Sequence, residues 1–364
     1  MSTDQNQSKP SRGTSLHLTN RFHKTNTVAS PEMNQLPAED RQTDLSKTQT
    51  IEVKAKSMIN KVSSPDLFME YSLNPYQGCE HGCVYCYARP THNYWGYSAA
   101  DDFENKILVK ANAIEVLSRE LKSKKYQVKP IMLSGNTDCY QPVEKKYQLT
   151  RKILELMLAW RHPVMIITKN ALIQRDLDLL SELNNLRLVQ VAISVTAAHD
   201  RTRRVMEPRA STIASRFRTI RLLAEKGIPV HGMLAPIIPG VNDMEIFDMV
   251  QQVAEAGAQT ASYQIVRLNG DLQPIFSHWL EEQFPDRKER ILNGIRSSHG
   301  GELGDSRFGM RMKGEGNIAD IIRQQFKLAH TRFMPKTERQ SLRTDLFRPI
   351  RGNMRELWGN ELIG

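Results

Sequence analysis

The sequence predicts a parallel α/β protein. Six short apolar runs, most of them rich in β-branched residues, recur between 67 and 268, with helix-like amphipathic stretches between them. No glycine-rich dinucleotide fingerprint follows the first run, which counts against a flat doubly wound sheet. Three of the four cysteines stand just behind that first run, where a barrel would carry its chemistry, at the C-terminal ends of the strands. Periodicity alone leaves the choice between an open barrel and a flat sheet undecided.

The elements follow in order. Residues 1–50 are rich in Ser, Thr, Asn and Gln with no sustained period, and read as a disordered or loosely attached tail. Strands are expected at 67–74, 130–135, 163–169, 186–195, 229–236 and 262–268. Helices are expected at 107–124 behind an acidic start, at 143–160 and at 171–183. Two more follow at 211–226, stopped by Lys226-Gly227, and at 243–256, opened by Asn242-Asp243 and ended before Gly257. Beyond 270 the pattern becomes helical, at 273–297 and 315–334, around a glycine-rich loop. The organisation is thus a tail (1–50), an α/β core (66–270) and a mostly helical extension (271–364).

With 364 residues and 40% hydrophobic content the chain can bury a substantial core. No apolar run approaches the roughly 18 residues of a membrane span, and the N-terminus lacks a secretory apolar core; the expectation is a cytoplasmic protein without membrane contact. The formal net charge is +10, and residues 286–364 hold 16 Lys/Arg against 10 Asp/Glu. That surplus reads either as a solvated helical surface or as nucleic-acid contact.

Cys79, Cys83 and Cys86 form C-x3-C-x2-C, in "CEHGCVYCY". In a reducing compartment such a triplet points to metal binding or catalysis rather than disulfides. Structural zinc wants four closed ligands, usually two separated pairs, and no second pair exists; His81 would complete a cramped site. A ferredoxin run needs a fourth cysteine close behind, and the next is Cys139. Three thiolates on one loop suit an iron–sulfur cluster with one iron open.

This triplet, with Tyr85 before the last cysteine, resembles the signature of the radical S-adenosylmethionine (SAM) superfamily. Within it the sequence is similar to spore photoproduct lyase and its DNA repair photolyase-like relatives, over about 66–268. The resemblance implies a partial parallel (β/α)6 TIM-like barrel. It also implies a [4Fe–4S] cluster on Cys79, Cys83 and Cys86 and reductive cleavage of SAM to a 5′-deoxyadenosyl radical. A reduced flavodoxin or ferredoxin is the implied electron donor. Tyr85 would lie against the adenine, Ser134 and Asn136 near the methionyl amino group, Lys169 at the carboxylate and Ser194 at the ribose. Leu234–Ile237 would pack the adenine, and Tyr87 stands where the lyase relays hydrogen.

One departure concerns the hydrogen-donating cysteine of the lyase, for which this sequence has Gly135-Asn136; the nearest thiol, Cys139, is the candidate donor. The basic loop at 199–211 offers Arg201, Arg203, Arg204 and Arg209, with Arg209 a candidate for the cofactor carboxylate. A salt-bridged loop with Asp200 and Glu207 is the other reading. The expected function is a radical SAM enzyme, with nucleic acid or nucleotide favoured as substrate over peptide or small metabolite. The alternative is a non-enzymatic zinc- or iron–sulfur-binding nucleic-acid-binding protein.

Overall fold

The computed structural model describes residues 12–20, 22, 48–336 and 340–350. In chain order the strands and helices are β1 Gln49–Val53, β2 Ile59–Lys61, β3 Tyr71–Leu73, β4 Tyr76–Gln77, α1 Asp101–Asn105, β5 Lys106–Lys110 and α2 Ala113–Leu121. They continue with β6 Ile131–Leu133, α3 Glu144–Tyr147, α4 Leu149–Ala159, β7 Val164–Thr168, α5 Leu177–Asn185, β8 Val189–Ser194, α6 Asp200–Met206 and α7 Ile213–Glu225. Last come β9 Val230–Ile237, α8 Ile246–Glu255, β10 Thr260–Ile265, α9 Leu272–Gln283, α10 Lys288–Ser297 and α11 Gly316–Phe333.

A seven-stranded sheet runs in the order β10-β9-β8-β7-β6-β3-β2, parallel throughout except for the antiparallel β2–β3 pair. Its six parallel strands are the expected (β/α)6 set, and β10 and β2 are unpaired outer edges, so the barrel is open. Alternation along the strands sorts side chains between the helices and the lumen. In β9, Leu234 is buried toward the helices, while His231, Met233 and Ala235 line the interior cavity. A Cβ on Gly232 would stand 2.3 Å from Val253 Cγ1, so glycine there lets α8 pack directly on β9.

The structure departs from the sequence reading at several places; among them, the helix expected at 143–160 is two, α3 and α4, parted at Gln148 (φ 51°), and the loop expected at 199–211 contains α6. Residues 106–110 form β5, paired with β1 and β4 in a separate three-stranded sheet, where a helix was expected from 107. Its buried centre, Ile107, Leu108 and Val109, is β-prone, and α2 starts only behind Asn112. The strand expected at 67–74 contracts to β3, and residues 66–69 instead wall the cavity. The helix expected at 273–297 breaks between α9 and α10, where Pro285 opens a short 3-10 turn. Finally, residues 12–20 of the expected disordered tail are docked, with Gly13, Thr14 and Asn20 buried; 49 and 50 open β1. Residues 1–11, 21 and 23–47, and 337–339 and 351–364 of the extension, lie outside the described residues.

The main core lies between the parallel strands and α2, α4, α5, α7, α8 and α11. A second apolar cluster joins α9 and α10 to the cysteine segment: Phe276, Trp279 and Ile291 pack in one group with Cys83, Val84 and Tyr85. The helical extension therefore buttresses the loop that carries the thiols.

Candidate active site

The cysteine segment follows β3 and β4 and crosses the C-terminal ends of the barrel strands. Backbone bonds hold its course: Cys79 N–H donates to Phe103 O (2.8 Å) and Val84 N–H to Met206 O (3.2 Å). Gly82 sits at φ +67°, and a Cβ there would stand 2.5 Å from Glu104 Oε2, so the turn between the first two cysteines requires glycine. All four cysteines are free thiols.

Beneath the loop lies a fully buried ion pair, Arg89 with Glu104 (3.0 Å). The Arg89 guanidinium also donates to Cys83 O (2.9 Å), Gly82 O (3.1 Å) and Ala100 O (2.7 Å). Glu104 in turn accepts from Gly13 N–H (2.7 Å) and Thr14 N–H (3.2 Å). One carboxylate thereby ties the N-terminal segment to the cysteine turn. The sequence carries no signal of this pairing, since the partners meet only when the loop folds back.

Cys79, Cys83 and Cys86 line a common cavity of about 500 Å³. The size is that of an ordinary small-molecule site. Tyr85, Tyr87, Ser134, Asn136, Lys169 and Ser194 line it as well, so nine of the eleven expected site residues share one space. Cys139 and Arg209 do not line it.

Tyr85 is 7% exposed and donates its hydroxyl to Glu207, which is ion-paired with Arg216; all three are buried. Arg216 also donates to Ser194 O (3.0 Å), so Tyr85 is anchored through Glu207 to the end of β8. Lys169 Nζ stands over the Tyr85 ring, 6.0 Å from its centroid. Burial alone would lower the Lys169 ammonium, but the Glu207 carboxylate and the Cys83 and Cys86 sulfurs outweigh it and the net shift is upward. Glu207 is pushed down to about 2: burial opposes ionisation, and Arg216 and Lys169 overcome it. The Cys83 thiol is raised by burial and Glu207, with Lys169 opposing. Cys79 is raised by burial and then by Asp138.

On the β6 side, Ser134 adopts φ 69° and its hydroxyl oxygen accepts from Cys139 N–H (2.6 Å). Asn136 N–H donates to Asn74 Oδ1 (2.9 Å), and its amide nitrogen lies 3.3 Å from Thr91 Oγ1. Asp138 accepts from Thr168 Oγ1 (2.8 Å) and Lys169 N–H (2.8 Å), fastening the ends of β6 and β7 together. His81 is buried, with Asp138 Oδ2 3.4 Å from Nδ1 and Asn170 donating to Nε2 (3.0 Å); its ring is engaged with these residues. Tyr87, 57% exposed, donates its hydroxyl to Gly135 O (2.5 Å) at the cavity rim. On β9, Ala235 and Pro236 face the cavity, whereas Leu234 and Ile237 belong to the core.

The structure places two of the expected site residues away from the cavity lining. Cys139 is fully buried in the main core, because the turn behind β6 points it toward the helices and not into the lumen. Arg209 pairs with Glu80 (3.2 Å) and Thr48 (3.3 Å) on the outer side of the cysteine segment. The basic loop is largely the salt-bridged alternative: Arg203 holds Asp200 (2.8 Å) and the carbonyls of Glu207 and Ala210, while Arg201 and Arg204 are exposed. Glu207 and Arg216, which sequence reasoning did not put in the site, are its buried electrostatic centre.

Among the described residues no three His, Cys, Asp or Glu side chains are placed to share one metal ion. The donor set suits a larger group: three free thiols around one space, a glycine-enforced turn between them and a lysine beside two of them. A cubane cluster spreads its thiolates over separate irons instead of gathering them on one point.

A sequence profile of the Radical SAM superfamily matches residues 73–253, the span from β3 to α8. An uncharacterized protein of Mycobacterium tuberculosis is 34% identical over 242 residues, covering 66% of this chain and 71% of that one. One of Methanocaldococcus jannaschii is 30% identical over 249 residues, 68% of this chain and 88% of that one. Among solved structures, spore photoproduct lyase complexed with dinucleoside spore photoproduct superposes with a TM-score of 0.58 at 16% identity, over 83% of this chain and 86% of the other. A double mutant of that lyase with bound AdoMet and dinucleoside spore photoproduct gives the same score and coverage. At such low identity the likeness is one of fold. With the profile spanning the cysteine segment and β6 to β9, and relatives matched over most of their length, this chain belongs to the radical SAM superfamily.

Proposed function

We propose that this protein is a radical SAM enzyme whose [4Fe–4S] cluster is held by Cys79, Cys83 and Cys86. The observation that carries the reading is the joint lining of one cavity by the three thiols, Tyr85, Lys169 and Ser194. Tyr85, fixed by Glu207, offers a flat face for the adenine, and Ser194 a hydroxyl for the ribose. Lys169, kept protonated beside Glu207, offers the charge for the methionyl carboxylate. The chemistry such a centre supplies is one-electron cleavage of SAM to methionine and a hydrogen-abstracting 5′-deoxyadenosyl radical, the electron coming from a reduced flavodoxin or ferredoxin. Apolar lumen residues, Met132, Met165 and Met233 among them, exclude water from the reacting space. Tyr87, at the cavity rim, is the side chain offered for hydrogen relay; Cys139 is buried and does not line the cavity.

Nucleic acid or nucleotide is the proposed substrate class, supported by the +10 charge and the lyase-like fold. The test is anaerobic reconstitution with iron and sulfide, then dithionite and SAM, with 5′-deoxyadenosine read by mass spectrometry beside Cys83→Ala. Deoxyadenosine from the wild type alone supports the reading. A protein that takes up zinc only, or a cluster that never yields deoxyadenosine, refutes it in favour of a metal-bearing binding protein.

A further inference from the structure

The same cavity is also lined by Arg267, just past β10, and by Arg311 and Lys313 from the loop between α10 and α11. That loop is laced to β10: Ile265 N–H donates to Met312 O (2.9 Å) and Leu268 N–H to Leu303 O (2.8 Å). It also reaches the opposite edge of the open barrel. Arg311 pairs with Asp66 (2.5 Å), the same carboxylate accepts from Gly309 N–H (2.7 Å), and Arg311 reaches Ser64 Oγ (2.5 Å). The open side of the barrel is thus bridged by a clasp carrying three cations.

The carboxylates near Arg267 are already committed. Asp66 is taken by Arg311 and Gly309, and Asp305 by Arg307 (2.8 Å) and His299 (3.4 Å). Arg267 Nη1 is buried and has no hydrogen-bond partner among the described residues. Arg267 is only half-buried, but its Nη1 is shut away without a partner in a lined cavity, a donor that a ligand entering the cavity can meet. Arg267 lies within electrostatic reach of Tyr87 and Arg311.

We infer that Arg267 binds an oxyanion of the substrate, phosphate or carboxylate, where the cavity meets β10, three strands across the sheet from Lys169 at the end of β7. The inference rests on the reading of the Lys169 end as the SAM site. Arg311 and Lys313 add positive potential, while the planar fork of Arg267 supplies the directed hydrogen bonds. An anion seated there lies beside Tyr87, which holds the rest of the substrate between the clasp and the thiols.

The experiment is calorimetric titration of the reconstituted, SAM-loaded protein with inorganic phosphate and, separately, acetate. Saturable binding is expected, with Kd raised at least about tenfold, roughly 1.4 kcal/mol, in Arg267→Gln, and an intermediate value in Arg267→Lys. Tighter phosphate than acetate identifies a phosphate-bearing substrate, and the reverse order a carboxylate. Absence of saturable binding by either anion, or equal affinity in Arg267→Gln, overturns the inference. If Arg267→Gln does not fold, the wild type decides: phosphate should slow phenylglyoxal modification of Arg267, read by peptide mass spectrometry, but not that of exposed Arg204. An unprotected Arg267 overturns the inference. Deoxyadenosine formation by the wild type is scored separately, so a failed anion site and a failed SAM reading give different results.

Discussion

Replacing Arg89 by Met removes the cation that organises the cysteine turn from below. The substitution keeps the apolar stem length but strips donors from Cys83 O, Gly82 O and Ala100 O. It also leaves Glu104, fully buried, facing only the two amides of Gly13 and Thr14. Breaking a buried pair from one side costs about 3–5 kcal/mol, and each orphaned carbonyl adds about 1, part of it relieved by entering water. The expected loss is about 5 kcal/mol, or a fall of roughly 10 °C in melting temperature for a chain of this size. Glu104→Gln should cost about 3 kcal/mol by leaving Arg89 charged and unpaired. The double variant should fall short of the sum by about 2 kcal/mol, since the two share one interaction. The assay is anaerobic thermal unfolding beside iron and sulfide content, which should drop in Arg89→Met as the turn loosens. A melting temperature within about 2 °C of wild type, or strictly additive single effects, would refute the claim that this pair shapes the turn.

Three further outcomes follow from the geometry. In Gly13→Ala the new Cβ would lie 1.6 Å from the Gly82 carbonyl oxygen, so residues 12–20 must undock; trypsin cleavage after Arg12 should accelerate several-fold, and an unchanged rate would show that the contact is not held in solution. Lys169→Met should weaken SAM binding to the reconstituted protein by about tenfold or more, as loss of a charged hydrogen bond does, measured by equilibrium dialysis; unchanged binding would place the carboxylate elsewhere. His92 and His162 are each pushed down to about 4, chiefly by burial. Their unfolded forms titrate near 6.5, so between about pH 6.5 and 4 the unfolded chain binds more protons and stability falls as pH is lowered. Each contributes a slope of up to about 1.4 kcal/mol per pH unit, absent above about pH 7. Urea midpoints at pH 7.5 and 5 check this: His162→Gln should flatten the dependence, and equal midpoints in the wild type would contradict the sign.

Much of the architecture is legible in local pattern. The buried parallel strands are short, continuous apolar runs, and β7, β8 and β9 fall within a few residues of their expected limits. Errors arise where local preference is ambiguous. Lys106–Lys110 continues a helix-compatible stretch, and only its neighbours β1 and β4 make it a strand. Residues 12–20 are polar enough to read as tail, yet Glu104 and Gly82 give their backbone a fixed place. The basic segment reads as an anion grip, but two of its four guanidiniums, Arg203 and Arg209, find internal carboxylates and carbonyls first.

The sequence alone determined the parallel α/β class and the thiol triplet, because these rest on period and spacing, which are local; the barrel and its strand-end residues came from the family resemblance. Which polar groups converge was decided by tertiary structure. Glu207 reaches Tyr85 and Arg216, Arg89 reaches Glu104, Cys139 turns into the core, and Arg267 is left with an unmet donor. Such outcomes depend on distances between residues far apart in the chain and on which carboxylate each cation meets first, and a pattern along one dimension does not contain them.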